Sequence, residues 1–297
     1  MEPLHQGERI LMRHMGGGRP DCAYQSFNHN EEHTSMNIRT CRLMLLIFLN
    51  VALFARVAWS EDQGREFHWT GKLAAEQLVL VKGVNGNIDA EGGAGDQVEI
   101  TAEKSGPDAD RVKIQVASSG EGIVVCPIYP GSSESCSPSW RASHVRGDDT
   151  KVHFIIHMPK NVRFSGQDIN GDVNAKGMSR FVRGQSVNGS VRIATSAWAE
   201  AETVNGSIEV KMGNAAWSGT LAFKTVNGSV RVELPDDLSA DVKFRSLNGR
   251  INSDFPITIS GGFAGQTAKG RVGNGGRELS IETVNGSAEL KKAAGGI

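Results

Sequence analysis

Short segments with alternating apolar and polar residues run through most of the chain after residue 61. They include 98–100, 112–116, 152–158 and 230–234. A period of two is expected for strands with one buried face. Turn residues such as Pro107-Asp108 separate these segments, and no window after residue 61 shows a convincing helical period. The pattern predicts an all-β fold.

One five-residue pattern, apolar-Asn-Gly-polar-apolar, occurs seven times. Its Asn-Gly pairs are Asn85-Gly86, Asn170-Gly171, Asn188-Gly189, Asn205-Gly206, Asn227-Gly228, Asn248-Gly249 and Asn285-Gly286. From the second copy onward the Asn residues follow at intervals of 18, 17, 22, 21 and 37 residues, the last close to two units with one degenerate copy. A unit of about 20 residues suits one coil of a solenoid. We therefore predict a single-stranded β-solenoid, similar to a β-helix.

Asn-Gly between apolar residues is also the sequence typical of a two-residue hairpin. That hairpin would pair Val226 with Ser229 and mix apolar and polar side chains on both faces. If the strand instead continues through the pair, Val226, Gly228 and Val230 share one face. The unbroken alternation favours the continuing strand.

The motif has a structural explanation that requires no ligand. Each Gly would point inward where no Cβ fits, and each Asn would lie outside at a bend. Stacked coils, about 4.8 Å apart, would align the Asn side chains into a hydrogen-bonded ladder.

The segment 36–60 has the features of a secretory signal peptide. Its apolar run, 43–54, lies between Arg42 and Arg56. As a helix this run would span about 18 Å, too short for a hydrocarbon layer of about 30 Å. We predict cleavage before Glu61 and no permanent transmembrane anchor.

The predicted signal peptide also defines the other segment boundaries of the chain. Residues 1–35 show no hydrophobic period and precede the segment that normally begins an exported protein, so we expect them to be untranslated or disordered. The mature chain would contain an irregular β part, 61–160, and regular solenoid repeats, 161–297, that share one core.

Cys126 and Cys136 are the only cysteines after residue 60. They enclose a loop rich in Gly, Ser and Pro, and exported proteins experience oxidising conditions. We predict a disulfide between them, with metal binding by the two thiols as the weaker alternative.

Composition narrows the range of functions. The chain has 297 residues, 36 of them Gly, and a formal net charge of -1. A nearly neutral chain lacks the basic face that nucleic-acid binding requires. The excess of Gly fits a turn-rich β protein.

Three stretches resemble a known family: the opening 80–86 (LVKGVNG), the step 154–159 (FIIHMP) into the repeats, and the recurrent Thr-Val-Asn-Gly-Ser. The chain resembles the bacterial adhesin-stalk family, also called toast-rack or DUF4097, over about 65–292. The resemblance implies an exported protein of β coils and offers no catalytic residues.

Candidate chemistry is sparse. His153 and His157 would lie about 13 Å apart on one strand face, too far to share a metal ion. The segment 92–96 matches a calcium-binding repeat poorly. Asp168 and Asp172 flank one repeat, and we expect both on its outer face, where only a cleft could make them an acid pair.

Two tryptophans, Trp198 and Trp217, each precede a repeat. Exposed on adjacent coils, they would form a platform for stacking sugars; buried, they would fill coil corners. We favour the buried arrangement.

We therefore expect a noncatalytic adhesin or envelope scaffold that is secreted, periplasmic or at the cell surface. It would bind an envelope polysaccharide or a surface protein through its polar outer face, and would need no cofactor, metal or nucleic acid. Two alternatives stay open: a carbohydrate-active β-helix enzyme, and an envelope-stress sensor or regulatory domain with a protein partner. End-to-end homo-oligomers are also open. The charges expected at the binding face are Arg192, Glu209, Lys211, Arg231 and Glu233.

Overall fold

The chain passes repeatedly between two long β-sheets. The computed structural model describes residues 59–133, 135–141, 149–262 and 265–293. Within these ranges lie one short 3-10 helix, Ala109–Arg111, and the strands β1 Trp59–Gln63, β2 Glu66–Gly71, β3 Leu78–Lys82, β4 Ile88–Gly93, β5 Val98–Ser105, β6 Lys113–Ser119, β7 Gly122–Ile128, β8 Lys151–Pro159, β9 Arg163–Gln167, β10 Val173–Met178, β11 Val182–Gln185, β12 Val191–Thr195, β13 Ala199–Glu202, β14 Ile208–Met212, β15 Thr220–Lys224, β16 Val230–Leu234, β17 Ala240–Asn248, β18 Ile251–Ser253, β19 Thr258–Gly262, β20 Gly265–Val272, β21 Glu278–Asn285 and β22 Ala288–Lys292. The predicted all-β class is confirmed.

Each sheet contains eleven of the described strands. The first sheet has the order β1-β2-β5-β8-β4-β10-β12-β14-β16-β22-β18. The second has the order β19-β20-β17-β21-β15-β13-β11-β9-β3-β7-β6. Pairing is parallel through the middle of both sheets. Because consecutive strands such as β11 and β12 belong to different sheets, each such pair forms one coil.

The core lies between the two sheets. In β14, Ile208, Val210 and Met212 are buried, whereas Glu209 and Lys211 are exposed. The same alternation holds for the other regular strands, so each coil contributes several apolar side chains to one continuous core. Each fully buried side chain of this size stabilises the fold by about 1.5–3 kcal/mol. The strands before and after residue 160 share this core.

The stacking order of the coils departs from the sequence order. The C-terminal coil, β21–β22, lies between the coil β15–β16 and the coil β17–β18. The prediction of a degenerate repeat within the interval of 37 residues is therefore wrong. Those residues include β18 and the antiparallel strands β19 and β20, which extend the second sheet beyond β17.

Antiparallel strands flank the parallel stack at both ends. At one end β1, β2 and β5 continue the first sheet and β6 continues the second. At the other end β20 and β19 continue the second sheet, while the first sheet ends at the three-residue strand β18. Short edge strands offer few backbone groups for pairing with another chain.

The chain changes sheets at each Asn-Gly pair, so the prediction of a strand continuing through the pair is wrong. β15 ends at Lys224 in the second sheet, and β16 begins at Val230 in the first. Val226 is 39% exposed although Val230 is fully buried. The alternation is interrupted because a coil must turn a corner to reach the other sheet.

A disulfide joins Cys126 of β7 to Cys136, as predicted, with the Cα atoms 5.5 Å apart. The loop beyond it is attached to the second sheet, since Lys82 Nζ donates a buried hydrogen bond to the Trp140 carbonyl at 2.9 Å. The disulfide and this bond hold the loop against the outer face of β3.

Most of the predicted leader lies outside the described residues. The segment 1–35 does so entirely, and of the predicted signal peptide 36–60 only Trp59 and Ser60 are described, as part of β1. Among the described residues there is no helix with the length and apolar character needed to cross a membrane.

The close approach of two coils at the Asn-Gly corner can be tested by adding a side chain there. A Cβ at Gly206 would overlap the backbone carbonyl of Gly189 in the next coil, whereas a Cβ at Gly95 would meet no atom. We expect Gly206→Ala to lower the free energy of unfolding by about 3 kcal/mol, because the backbones of two coils must separate. Gly95→Ala is the matched control and should stay within about 1 kcal/mol of the parent. Urea denaturation measures both, and equal effects would contradict the close approach.

Candidate functional site

Seven Asn side chains form a column along one edge of the molecule. Its spatial order is Asn85, Asn170, Asn188, Asn205, Asn227, Asn285 and Asn248. From Asn170 onward, each Nδ2 donates to the Oδ1 of the preceding Asn in this order, at 2.7 to 2.8 Å. An interior Asn such as Asn205 is therefore both donor and acceptor. This hydrogen-bonded column is here called the Asn ladder.

The glycine after each Asn marks the closest contact between coils. Its missing side chain makes room for the carbonyl oxygen of the neighbouring coil's glycine, as at Gly206 against Gly189 and at Gly228 against Gly206. Any Cβ at these positions would overlap backbone atoms. The glycines therefore permit the spacing at which the Asn side chains meet.

A buried hydroxyl lies beneath the ladder in five coils, a feature the sequence reasoning missed. Ser186, Thr203, Thr225, Thr283 and Ser246 each donate to the neighbouring coil's glycine carbonyl, at 2.7 to 3.0 Å. All five precede their Asn by two residues. The recurrent Ser or Thr at that position was the available signal.

Asp168 occupies the position of this hydroxyl in the coil that begins the main repeat. Its Oδ1 lies 3.2 Å from where a Cβ would stand at Gly171, much as the Ser186 hydroxyl lies 2.9 Å from that point at Gly189. Asp168 is 5% exposed, so the prediction that it lies on the outer face is wrong. Its other oxygen fills the space left by the missing side chain of Gly83.

Both carboxylate oxygens of Asp168 are buried, and no side chain among the described residues donates a hydrogen bond to either of them. Burial raises the pKa of this carboxyl to about 7, although the backbone N–H groups of Asn170 and Ile169 act in the opposite direction. A carboxylate can only accept hydrogen bonds, whereas a protonated carboxyl can donate one as Ser and Thr do. The protonated form thus suits this position.

An aliphatic row runs beside the Asn ladder. Val187, Val204 and Val226 are 38–40% exposed, and Leu247 at the end of the row is 51% exposed. Each directly precedes a ladder Asn. The corner therefore presents an apolar stripe next to a stripe of amides.

A groove of about 480 Å³ lies on the outer face of the first sheet. Ile155 and Ala194 are among its apolar lining residues, and Arg192, Glu209 and Lys211 contribute charge. Ala194 faces Lys176 and Lys211 across the neighbouring strands, where its small side chain leaves a depression between two long ones. Of the five charges predicted for the binding face, these three line the groove.

The charged side chains around this groove form ion pairs. Lys176 pairs with Glu91, and Lys211 pairs with Glu233. Arg192 pairs with Asp172 at 2.8 Å. Burial acts to raise the pKa of Asp172, but hydrogen bonds from Arg192 and the Ser190 N–H outweigh it and lower that pKa. The rim is thus a network of mixed charge.

Arg231 and Glu233, the other two predicted residues, lie outside this lining on β16. Arg231 contacts both Glu233 and Glu289. They continue the charged outer face along the first sheet.

A second groove, of about 600 Å³, lies on the outer face of the second sheet. Lys82, Trp140 and Glu202 are among its lining residues. Burial, and secondarily the positive charge of Arg141, lower the pKa of Lys82. The buried indole N–H of Trp140 has no partner in the described structure.

The tryptophans weighed as a sugar platform are packed against the protein. Trp217 is 3% exposed and its Nε1 donates to the Glu278 carbonyl at 3.1 Å. Trp198 is half-buried against the Phe181 ring, with ring centroids 4.3 Å apart. Both belong to the packing of the second sheet.

The two histidines of β8 have different surroundings. His153 Nε2 lies 2.6 Å from Asp89 Oδ2, while His157 is exposed and lines the first groove. Among the described residues no group of three or more His, Cys, Asp or Glu side chains is placed to hold a metal ion.

Comparison with known proteins identifies a family. The family model Toastrack DUF4097 matches residues 76–291. A comparison with curated proteins finds no match. Structural similarity is found to a putative cell adhesion protein from Clostridium sporogenes, with 12% identity, a TM-score of 0.43, and coverage of 80% of this chain and 100% of the other. A putative adhesin from Bacteroides fragilis shows 15% identity, a TM-score of 0.35, and coverage of 77% and 97%.

The Asn ladder predicts graded effects along its length. Asn205→Ala would remove two side-chain hydrogen bonds and Asn248→Ala only one, because Asn248 ends the ladder. We expect a loss of about 2 kcal/mol for Asn205→Ala and about 1 kcal/mol for Asn248→Ala. Thermal and urea unfolding measure the difference. A larger effect at Asn248 would contradict this account.

Asp168 predicts a pH dependence of stability. Its pKa in the fold, about 7, lies above its ordinary value of 3.8, so the folded state holds the proton more tightly. The stabilisation by this proton is complete below pH 4, declines as the pH rises toward 7, and is absent above that, a change on the order of 4 kcal/mol. Asp168→Asn should therefore be more stable than the parent at pH 8.

The matched substitution Asp172→Asn should lower the free energy of unfolding at neutral pH, because it removes a carboxylate whose anionic form is stabilised by Arg192. Urea denaturation from pH 4 to pH 8 measures both variants. The Asp172→Asn variant keeps Asp168, so its stability should fall as the pH rises from 4 to 8. A rise in its stability over this range would rule out the role of Asp168.

Proposed function

Since the chain belongs to the Toastrack DUF4097 family, we propose that it is an exported, noncatalytic adhesin or envelope scaffold. The observation that carries the proposal is the groove on the outer face of the first sheet. Its ligand class is an envelope polysaccharide. Apolar surface flanked by polar and charged groups suits a sugar polymer, whose rings have apolar faces and hydroxyl edges.

Rigidity supports this role. The groove is lined by neighbouring parallel strands from β8 to β14, and the coils that carry most of them are fixed to one another by the Asn ladder and the buried hydroxyls. A preorganised surface loses little conformational entropy on binding. Repetition along the sheet also suits an extended polymer that contacts several coils.

The carboxylates near the groove support a noncatalytic role. Glycoside cleavage requires two carboxyl groups about 5 to 10 Å apart that flank the bond, one of them with a raised pKa. Asp89 already accepts hydrogen bonds from Asn174 and contacts His153, and Glu91 pairs with Lys176. Asp168, whose pKa is raised, does not line this groove; it is 5% exposed and belongs to the lining of the second groove.

The test is co-sedimentation of the exported protein with bacterial envelopes and a panel of insoluble polysaccharides. Ala194→Trp would fill the groove, and we expect it to weaken saturable pelleting by about tenfold or more through loss of the contact surface. Ala222→Trp is the matched control, because Ala222 is half-buried on the outer face of the second sheet.

Equal pelleting of both variants would exclude the groove as the binding surface. Parent protein that remains in the supernatant with every material would contradict the polysaccharide ligand. In that case the sensor or regulatory alternative with a protein partner would replace it.

A further inference from the structure

Asn-Gly is chemically the least stable of the Asn-containing pairs. The backbone nitrogen of the Gly can attack the side-chain carbonyl carbon of the Asn, and Gly offers no side chain to hinder the attack. The chain contains eight such pairs: the seven of the ladder and Asn274-Gly275, which lies in the turn between β20 and β21.

The ladder restrains this reaction in its interior. To react, the Asn side chain must rotate so that its Cγ meets the next backbone nitrogen. Asn205 cannot rotate without breaking its bonds to Asn188, at 2.8 Å, and to Asn227, at 2.7 Å. The attacking nitrogen is also engaged, since the Gly206 N–H donates to the Asn227 carbonyl at 3.0 Å.

The two ends of the ladder differ. At one end the coil of Asn85 is covered by β8, and its Oδ1 accepts the Asn170 amide at 2.7 Å. At the other end Asn248 donates to Asn285 at 2.8 Å, but no described residue donates to Asn248 Oδ1. The N–H of Gly249 has no acceptor among the described residues, which is also true of Gly171 and Gly189 within the ladder, so the open Oδ1 of Asn248 is what distinguishes this end. The whole segment 247–250 is exposed.

From this asymmetry we propose that Asn248 is a site of spontaneous deamidation in the folded protein, while the six other ladder residues are protected. Asn274 lies outside the ladder and is exposed, so its side chain lacks the ladder's restraint, although the Gly275 N–H donates to the Val272 carbonyl at 3.1 Å. The modification needs no partner other than water.

The step proceeds through a five-membered imide. The Gly249 nitrogen forms a bond to Cγ of Asn248, the bond from Cγ to Nδ2 breaks, and Nδ2 leaves as ammonia with the proton that the Gly249 nitrogen loses. Water then adds to either imide carbonyl and opens the ring to an aspartate or an isoaspartate at position 248. Either product lacks the amide that donates to Asn285 and adds a negative charge at the last coil.

Peptide mapping by mass spectrometry over a time course at mildly alkaline pH tests the proposal. The full chain is incubated once folded and once in denaturant, which supplies the unrestrained rate for every pair. We expect the six protected residues to react at least about tenfold more slowly in the folded protein, since local opening must break hydrogen bonds. Asn248 should react within about threefold of its rate in denaturant.

A variant tests the cause. Asn227→Ala removes the group that donates to Asn205 Oδ1 and so creates a new open end within the ladder. The rate at Asn205 should rise severalfold, while Asn170, two coils further along, stays slow. Asn248→Gln should remove the signal at 248, because the longer side chain disfavours the five-membered ring.

If Asn227→Ala does not fold, the proposal is tested only by comparing the deamidation rates of the folded and the denatured parent protein. Similar folded-state rates at Asn248 and Asn205 would overturn the proposal. The proposal would also be overturned if Asn248 deamidates in denaturant but does not deamidate in the folded protein.

Discussion

The close approach of one glycine backbone to the next is the constraint on which the rest of this structure depends. At each corner the Gly of the repeat leaves space that the neighbouring coil's carbonyl occupies. That contact brings the Asn side chains within hydrogen-bonding distance and places a Ser or Thr hydroxyl beneath five of the shared carbonyls. The glycine contacts, the Asn ladder and the column of buried hydroxyls thus all depend on the missing Cβ of the glycine. These interactions recur from coil to coil because each coil stacks on the next at the same spacing.

This arrangement places the stabilising contacts at the corner and in the core and leaves the outer face of the first sheet largely free of them. The corner and the core consume the amides, the hydroxyls and most apolar side chains, while the outer face of the first sheet contributes little to packing. Its side chains are instead paired charges such as Lys211 with Glu233, around a depression at Ala194. Sequence changes on that face would therefore leave the coil undisturbed, so the outer surface can vary while the rigid repeat is kept.

Asp168 shows what happens where the repeat rule is broken. Every other coil of the main stack has a hydroxyl at this position, and a hydroxyl satisfies a carbonyl without carrying charge. A buried carboxylate cannot do so, and the energetic cost of its desolvation appears as a raised pKa. Asp168 lies where the early coil β3–β4 contacts the main repeat. The one titratable residue at this repeat position is therefore found where coils distant in sequence meet.

The all-β class, the strand alternation, the repeat unit, the Asn and Gly of each corner and the pairing of Cys126 with Cys136 can all be predicted from the amino-acid sequence, because they depend on local periodicity and local chain closure. The sequence also contained the hydroxyl two residues before five of the seven Asn residues, but a single Ser or Thr in a sequence looks the same whether it is buried or exposed. Only the tertiary structure decided that Val226 is exposed, that Asp168 is buried, that Arg192, Glu209 and Lys211 border one groove, and that the coil of Asn285 inserts before that of Asn248. Those features depend on which strands become neighbours, and identical repeats pair equally well with several neighbours, so the order is fixed by the whole stack and its antiparallel ends.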